Sequence, residues 1–147
     1  MKYIVHISLL IQFLCIYSIQ AQKRTENAEK RLGEFKDKIA LDQYDDFYII
    51  SFKDISNVNN GTEQTIRIDN HQNLIRFKNI LLNGFEEEPD EPIIYETEKY
   101  EFRLYYRNRS IRKDYVEVIV EDSKTEVTST MPWLTYAAIE KLFQTEE

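Results

Sequence analysis

Apolar residues recur at two spacings along the chain, and the change of spacing separates predicted helices from predicted strands. Helical spacing of three and four residues runs through residues 25–41 and 70–83. Residues 47–55 are rich in β-formers, and residues 63–69 alternate, so that every second residue of each segment falls on one face, as in strands with one buried face. Asparagine and glycine dominate residues 57–61 between these two strands, which predicts a turn and therefore a hairpin.

The chain alternates again from residue 93 onward, which predicts a three-stranded meander. Pairing residues whose numbers sum to 220 sets Phe102 opposite Val118 and Leu104 opposite Val116 on the core face. A tight turn at residues 122–123 then leads into a third strand around residues 125–127. On the other face, the same register pairs Arg103 with Glu117 and Lys99 with Glu121.

Helix-end signals complete the predicted order of elements. Asp69 or Asn70 is the expected cap of the helix over residues 70–83, and Gly84 is its expected stop. A last helix follows Pro132, which is tolerated in a first helical turn, with Thr130 as its cap. The order α-β-β-α-β-β-β-α predicts a single α+β domain with its helices packed on one face of a curved antiparallel sheet.

The first 21 residues have the features of a secretory signal peptide. Lys2 supplies a basic start, residues 4–19 are almost wholly apolar, and Ala21 ends the segment with a small side chain. Such a segment is short for a spanning helix, which needs about 20 apolar residues. We therefore expect cleavage after Ala21 and a secreted or periplasmic domain over residues 22–147. An uncleaved N-terminal membrane anchor is the alternative, because two basic residues follow closely.

Composition excludes several classes of chemistry once the signal segment is removed. The remaining 126 residues contain no cysteine and one histidine, with 26 acidic against 18 basic residues. Disulfides, catalytic thiols, cysteine-ligated metals and zinc sites with several imidazoles are therefore excluded. The net negative charge argues against nucleic acid as a partner, because phosphate binding needs clustered basic residues. Gly33, Gly61 and Gly84 stand apart and form no phosphate-binding loop, so no cofactor is expected.

The stretch most suggestive of binding is residues 95–115, which holds five tyrosines and four arginines. Arg103, Tyr105, Arg107 and Tyr115 fall on the sheet face opposite the predicted core residues. Guanidinium groups bind carboxylate, sulfate or phosphate in a two-pronged manner, and both residue types are frequent at the energetic centres of interfaces. We expect these four residues to bind a ligand or partner. The alternative is a solvated sheet face with cross-strand Arg–Glu and Arg–Tyr pairs.

Three further signals favour structural or surface roles. His71, at the start of the second predicted helix, is interpreted as a capping or surface histidine rather than a catalytic base. Residues 86–91 predict a solvated acidic loop, with a Ca²⁺ site as the alternative, although the spacing of a dedicated calcium loop is absent. Asn60 and Asn108 match the acceptor pattern for N-glycosylation and fall in predicted turns.

The expected function is that of a non-catalytic secreted or periplasmic binding domain for a protein or glycan partner. No nucleophile–base constellation, metal cluster or cofactor motif can be read from the sequence, and no catalytic residue can be singled out. One alternative is a small hydrolase whose Asp/Glu pair is assembled only by the fold, which would require a concave pocket with carboxylates of raised pKa. The other is a structural or assembly subunit of the cell envelope.

Overall fold

The computed structural model describes residues 28–56, 61–109 and 112–144, and residues 108, 109, 112 and 113 by their backbone alone. The predicted signal segment, most of the predicted turn over residues 57–61 and the glycosylation candidate Asn60 lie outside the described residues. Asn108 lies in a strand and not in the turn predicted for it.

Two antiparallel four-stranded sheets and two helices follow one another along the described chain. The first sheet contains β1 (Lys30–Phe35), β2 (Ile39–Gln43), β3 (Phe47–Lys53) and β4 (Glu63–Asp69), in that spatial order. The second contains β5 (Ile93–Glu96), β6 (Tyr100–Arg109), β7 (Arg112–Asp122) and β8 (Thr128–Thr130). Helix α1 (His71–Glu87) connects the sheets, and α2 (Tyr136–Leu142) follows the second sheet.

The predicted α+β class is confirmed, but the predicted element order and the single sheet are wrong. Strands β4 and β5 do not pair: β4 is the last strand of the first sheet, β5 is the first strand of the second, and α1 lies between them in the sequence. Helix α1 contacts β3 and β4 of the first sheet and also β6 of the second. The helices therefore do not cover one face of one sheet.

One hydrophobic core joins both sheets and both helices. The Phe77 ring of α1 lies 4.8 Å from the Phe102 ring of β6 and 6.2 Å from the ring of Phe143, which ends α2. Leu41 and Ile50 of the first sheet are buried in the same cluster. Within the described ranges, no helix is both long enough and apolar enough to cross a membrane.

The predicted helix over residues 25–41 is wrong, because the described part of this segment forms β1, a turn and the start of β2. Lys36 and Asp37 form the turn with positive φ angles of 54° and 53°. Leu41 pairs with Ile50 across β2 and β3 and is fully buried. Helix propensities differ by tenths of a kcal/mol, whereas burying one leucine side chain contributes about 2 kcal/mol, so strand packing outweighs the helical spacing.

Gly33 of β1 lies directly against the end of α2. A Cβ atom at this position would overlap the backbone carbonyl groups of Leu142 and Lys141. The β1–β2 register also shifts between Arg31 and Gly33, as at a β-bulge. The close approach of two backbones requires glycine at this position.

The β3–β4 hairpin and the cap of α1 are confirmed. Strand β3 pairs with β4 throughout, and Asn70 Oδ1 accepts a hydrogen bond of 3.0 Å from the Asn73 backbone N–H. The predicted helix stop at Gly84 is wrong, because α1 continues to Glu87 and ends at Glu88 in the left-handed region. Two residues of the predicted acidic loop, Glu86 and Glu87, therefore belong to α1.

Gly84 is used for packing and not for ending the helix. A Cβ atom here would overlap the Tyr106 ring of β6. The Tyr106 hydroxyl donates to the carbonyl oxygens of Ile80 and Leu81, at 3.1 and 3.0 Å. Burial of the ring raises the pKa of Tyr106. This contact fixes α1 to the second sheet.

The predicted faces of the β6–β7 hairpin are right, but the predicted register is wrong by two residues. Phe102 pairs with Val120 and Leu104 with Val118, so Arg103 lies opposite Ile119 rather than Glu117. A shift of two residues keeps every side chain on its face, because the side-chain period of a strand is two. The third strand is also displaced from its predicted position, because β8 begins at Thr128.

The last helix begins later than predicted. Thr135 caps α2 through its Oγ1 atom, which accepts from the Ala138 backbone N–H at 3.3 Å. The predicted cap, Thr130, lies in β8. Leu134 exchanges two backbone hydrogen bonds with Val116, so the residues around Pro132 are held in extended backbone beside β7.

The two sheets are joined through Asp54, which follows β3 and is fully buried. Its Oδ1 atom accepts from the backbone N–H groups of Ser56, at 2.8 Å, and Thr130 of β8, at 3.0 Å. The Ile55 N–H donates to the Thr130 carbonyl at 3.0 Å. Among the described residues, Asp54 Oδ2 has no hydrogen-bond partner.

Candidate functional site

The four residues selected from the sequence all lie on the outer face of the second sheet. Arg103, Tyr105 and Arg107 alternate along β6 with the buried Phe102 and Leu104. Tyr115 of β7 pairs directly with Arg107. The structure brings the four together along two neighbouring strands.

Arg103 is bound by two carboxylates of its own sheet. Its Nε atom donates to Glu101 Oε1 at 2.6 Å, and its Nη2 atom donates to Glu121 Oε2 at 3.0 Å. The hydrogen bond to Glu101 is the largest cause of the raised pKa of Arg103. Because its Nε and Nη2 atoms bind carboxylates of two neighbouring strands, Arg103 links β6 and β7.

The other three residues form a surface with a fourth residue that sequence reasoning placed in a helix. Trp133 stacks on Tyr115 with a ring-centroid distance of 4.9 Å and an interplanar angle of 23°. The Arg107 guanidinium lies 5.8 Å from the centre of the Tyr105 ring. Trp133 is 49% exposed and Arg107 is also exposed. We call Tyr105, Arg107, Tyr115 and Trp133 the aromatic face.

A groove of about 690 Å³ lies between the start of α1 and the β5–β6 turn. Asp69 stands at its edge and binds two cations: Arg67 Nε is 2.6 Å from Asp69 Oδ1, and Lys99 Nζ is 3.2 Å from Oδ2. Farther along α1, the Arg76 guanidinium lies 5.7 Å from the centre of the Tyr95 ring. We call this depression the α1 groove.

The ion pairs of Asp69 make a small part of the domain's stability depend on pH. The hydrogen bond from Arg67 is the largest cause of the lowered pKa of Asp69. A lowered folded-state pKa contributes stability that is complete above the unfolded value of about 3.9 and is lost as the pH falls through the folded value. We expect Asp69→Asn to reduce the free energy of unfolding at neutral pH. Urea titrations at decreasing pH should show this difference shrinking, and a difference independent of pH would contradict the assignment.

A second and wider depression, of about 1360 Å³, covers the outer face of the first sheet. Tyr44 stacks on Phe47 at 4.7 Å between centroids, and Arg67 lies 3.8 Å from the centre of the Phe47 ring. Glu29 and Asp45 meet at its edge, and their hydrogen bond raises the pKa of Glu29. Both carboxylates are exposed, so the pair lacks the dry surroundings that sustain a catalytic acid.

His71 and the acidic residues that follow α1, Glu88, Asp90 and Glu91, are exposed. His71 is exposed at the first position of α1, with Nδ1 3.1 Å from the Tyr48 hydroxyl, and Asn70 supplies the cap. Among the described residues, no three His, Cys, Asp or Glu side chains are placed to hold a metal ion together.

Comparison with known proteins returns no match: no protein-family model, curated protein or solved structure is significantly similar to this chain. Function must therefore be inferred from the geometry of the molecule.

Proposed function

We propose that this chain is a non-catalytic binding domain that recognises a protein or glycan partner through the aromatic face. The observation that carries the proposal is the stack of Tyr115 on the half-exposed Trp133 beside Arg107. Tryptophan, tyrosine and arginine are the residue types that most often dominate binding energy. Aromatic rings held in place by a sheet lose little conformational freedom when a partner binds.

The proposal narrows the set of residues predicted from the sequence. Arg103 is occupied by Glu101 and Glu121, so its role is to hold the two strands in register. Tyr105, Arg107 and Tyr115 remain in the site, and Trp133 joins them. Rings and a cation side by side suit a partner that combines flat apolar surface with negative charge.

The proposed cellular setting follows from the N-terminal sequence. We infer that residues 1–21 direct export and that the domain over residues 22–147 acts outside the cytoplasm, in a secreted or periplasmic form. An anchored form, retained by residues 4–19, would instead suit the alternative role of an envelope structural or assembly subunit.

A carboxylate-dependent hydrolase is the second candidate, and the Glu29–Asp45 pair favours it. The raised pKa of Glu29 and the depression beside it are features that such an enzyme requires. We rank it below a binding role because both carboxylates are exposed to water at the edge of the sheet.

Binding by the aromatic face can be tested with two variants and one matched control. Trp133→Ala and Arg107→Gln should each weaken a partner's affinity by about tenfold or more, as expected for hot-spot residues. Val127→Ala is the control, because Val127 is 50% exposed and lies in the β7–β8 connection. The wild type and variants would be immobilised and challenged with an envelope extract and a set of polysaccharides. Any ligand identified is then measured against each variant, and equal affinity for all of them would show that the aromatic face is not the binding site.

A further inference from the structure

The α1 groove has an aromatic floor. Phe77, Tyr95 and Phe102 form a triangle of rings whose centroids are 4.8 to 5.9 Å apart. Tyr100 lies 6.0 Å from Phe102 and also lines the groove. Phe77 and Phe102 are each 1% exposed and lie beneath the surface of the groove, so a further ring entering it would meet the half-buried rings of Tyr95 and Tyr100. The groove volume lies within the usual range of small-ligand sites, about 300 to 1000 Å³.

Arg76 is a positively charged residue of the groove that has no acidic partner among the described residues. Arg67 and Lys99, the other cations of the groove, are both paired with Asp69. Among the described residues, the Arg76 guanidinium contacts the Tyr95 ring and makes no hydrogen bond or ion pair. Its five N–H donors are therefore free to bind an anionic group at the edge of the aromatic floor.

The lining of the α1 groove carries as many acidic as basic residues, so it does not favour a doubly charged phosphate over a singly charged carboxylate. A carboxylate matches the planar fork of the guanidinium.

We propose that the α1 groove binds a carboxylate carried next to an aromatic ring, with the ring against Tyr95 and Tyr100 and the carboxylate on Arg76. Two sources offer this chemistry: a free aromatic acid and the C-terminus of a peptide that ends in an aromatic residue. The α1 groove shares Arg67, Lys99 and Tyr100 with the depression over the first sheet, so a longer ligand could continue there. The acidic residues of that depression would favour positive charge in the continuing segment.

The test uses N-acetyl-phenylalanine as the probe and its amide as the uncharged control. Titrations followed by amide chemical shifts should show saturable changes at residues 95–100 and in the first two turns of α1. Arg76→Gln should weaken binding about three- to tenfold, the range for an exposed but two-pronged ion pair. Lys124→Gln, which removes one exposed positive charge in the β7–β8 turn, should leave the affinity unchanged.

A second arm separates the two sources. A peptide that ends in phenylalanine and carries lysines before it should bind more tightly than N-acetyl-phenylalanine if the ligand is a C-terminus. Equal affinity would assign the groove to a free aromatic acid. The proposal is overturned if no saturable shifts occur up to the solubility limit of the probe, if the amide binds as well as the acid, or if Arg76→Gln binds like the wild type. None of these outcomes depends on the aromatic face of the second sheet.

Discussion

Gly33→Ala is expected to destabilise the domain by about 3 kcal/mol or more, enough to unfold a marginally stable chain. The added Cβ atom would overlap the carbonyl groups of Leu142 and Lys141, and these are backbone atoms that cannot rotate away. Either β1 must leave β2 or α2 must leave the core, and both changes expose apolar surface. Urea denaturation followed by the fluorescence of Trp133 measures the loss.

The same substitution at Gly61 provides the control for Gly33. Gly61 has a φ of 85°, and no described atom lies within 4 Å of the place that a Cβ atom would occupy. Alanine there therefore meets backbone strain without a steric clash. We expect a cost of about 1 kcal/mol for Gly61→Ala. Equal effects at the two positions would mean that β1 does not approach α2 as closely as described.

Asp54→Ala is expected to cost about 2 to 3 kcal/mol, because it leaves two backbone N–H groups without their acceptor. The Ser56 and Thr130 N–H groups both donate to Asp54 Oδ1, and Thr130 belongs to the other sheet. The loss should appear as a lower urea midpoint and as faster amide hydrogen exchange in β8. Unchanged exchange at Thr130 would contradict the proposed link between the sheets.

Asp54→Asn separates the hydrogen bonds from the buried charge. The amide oxygen can replace Oδ1, and the loss of charge removes the desolvation cost of a carboxylate whose Oδ2 atom has no partner among the described residues. We expect Asp54→Asn to lie within about 1 kcal/mol of the wild type. Asp46→Ala, a change at an exposed aspartate of the β2–β3 connection, should shift stability by less than about 0.5 kcal/mol.

The parts of the fold that were predictable are those in which local signals agree with burial. Residues 47–55 are rich in β-formers, residues 63–69 place Ile66 and Ile68 on one face, and the buried Ile50 and Ile66 face each other in the observed register. Asn70 directly follows β4 and caps α1, so the end of the strand pattern and the helix cap are predicted at the same place. Such segments can be predicted because their local sequence preferences and their burial in the fold favour the same structure.

The β1–β2 hairpin was not predictable, because its determinants lie far away in the sequence. Four apolar residues at helical spacing fit an amphipathic helix as well as they fit two short strands. The docking of β1 beside residues 141–142 decides between these two structures. The spacing of apolar residues around Gly33 does not indicate this long-range contact. The two-residue error in the β6–β7 register has a related cause, since alternation fixes the face of a residue but not its partner.

The candidate site was partly predictable for the same physical reasons. Alternation along β6 placed Arg103, Tyr105 and Arg107 on one face, whatever the register. Trp133 was missed because a proline before apolar residues favours a helix start, whereas the backbone pairing of Leu134 with Val116 holds this segment extended. The α1 groove lies between the start of α1 and the β5–β6 turn, which are far apart in the sequence. No local sequence pattern therefore indicates it.

The contact between Gly33 and Leu142 also sets an order of events during synthesis. The first described strand rests on the last described helix, and Lys78 in the middle of the chain donates to the Phe143 carbonyl at 3.3 Å. A ribosome makes residue 33 long before residue 142, so β1 must wait for its neighbour until the residues of α2 have been translated. Long-range contacts of this kind slow folding, and a chain that stays open for that time exposes its apolar residues to other chains.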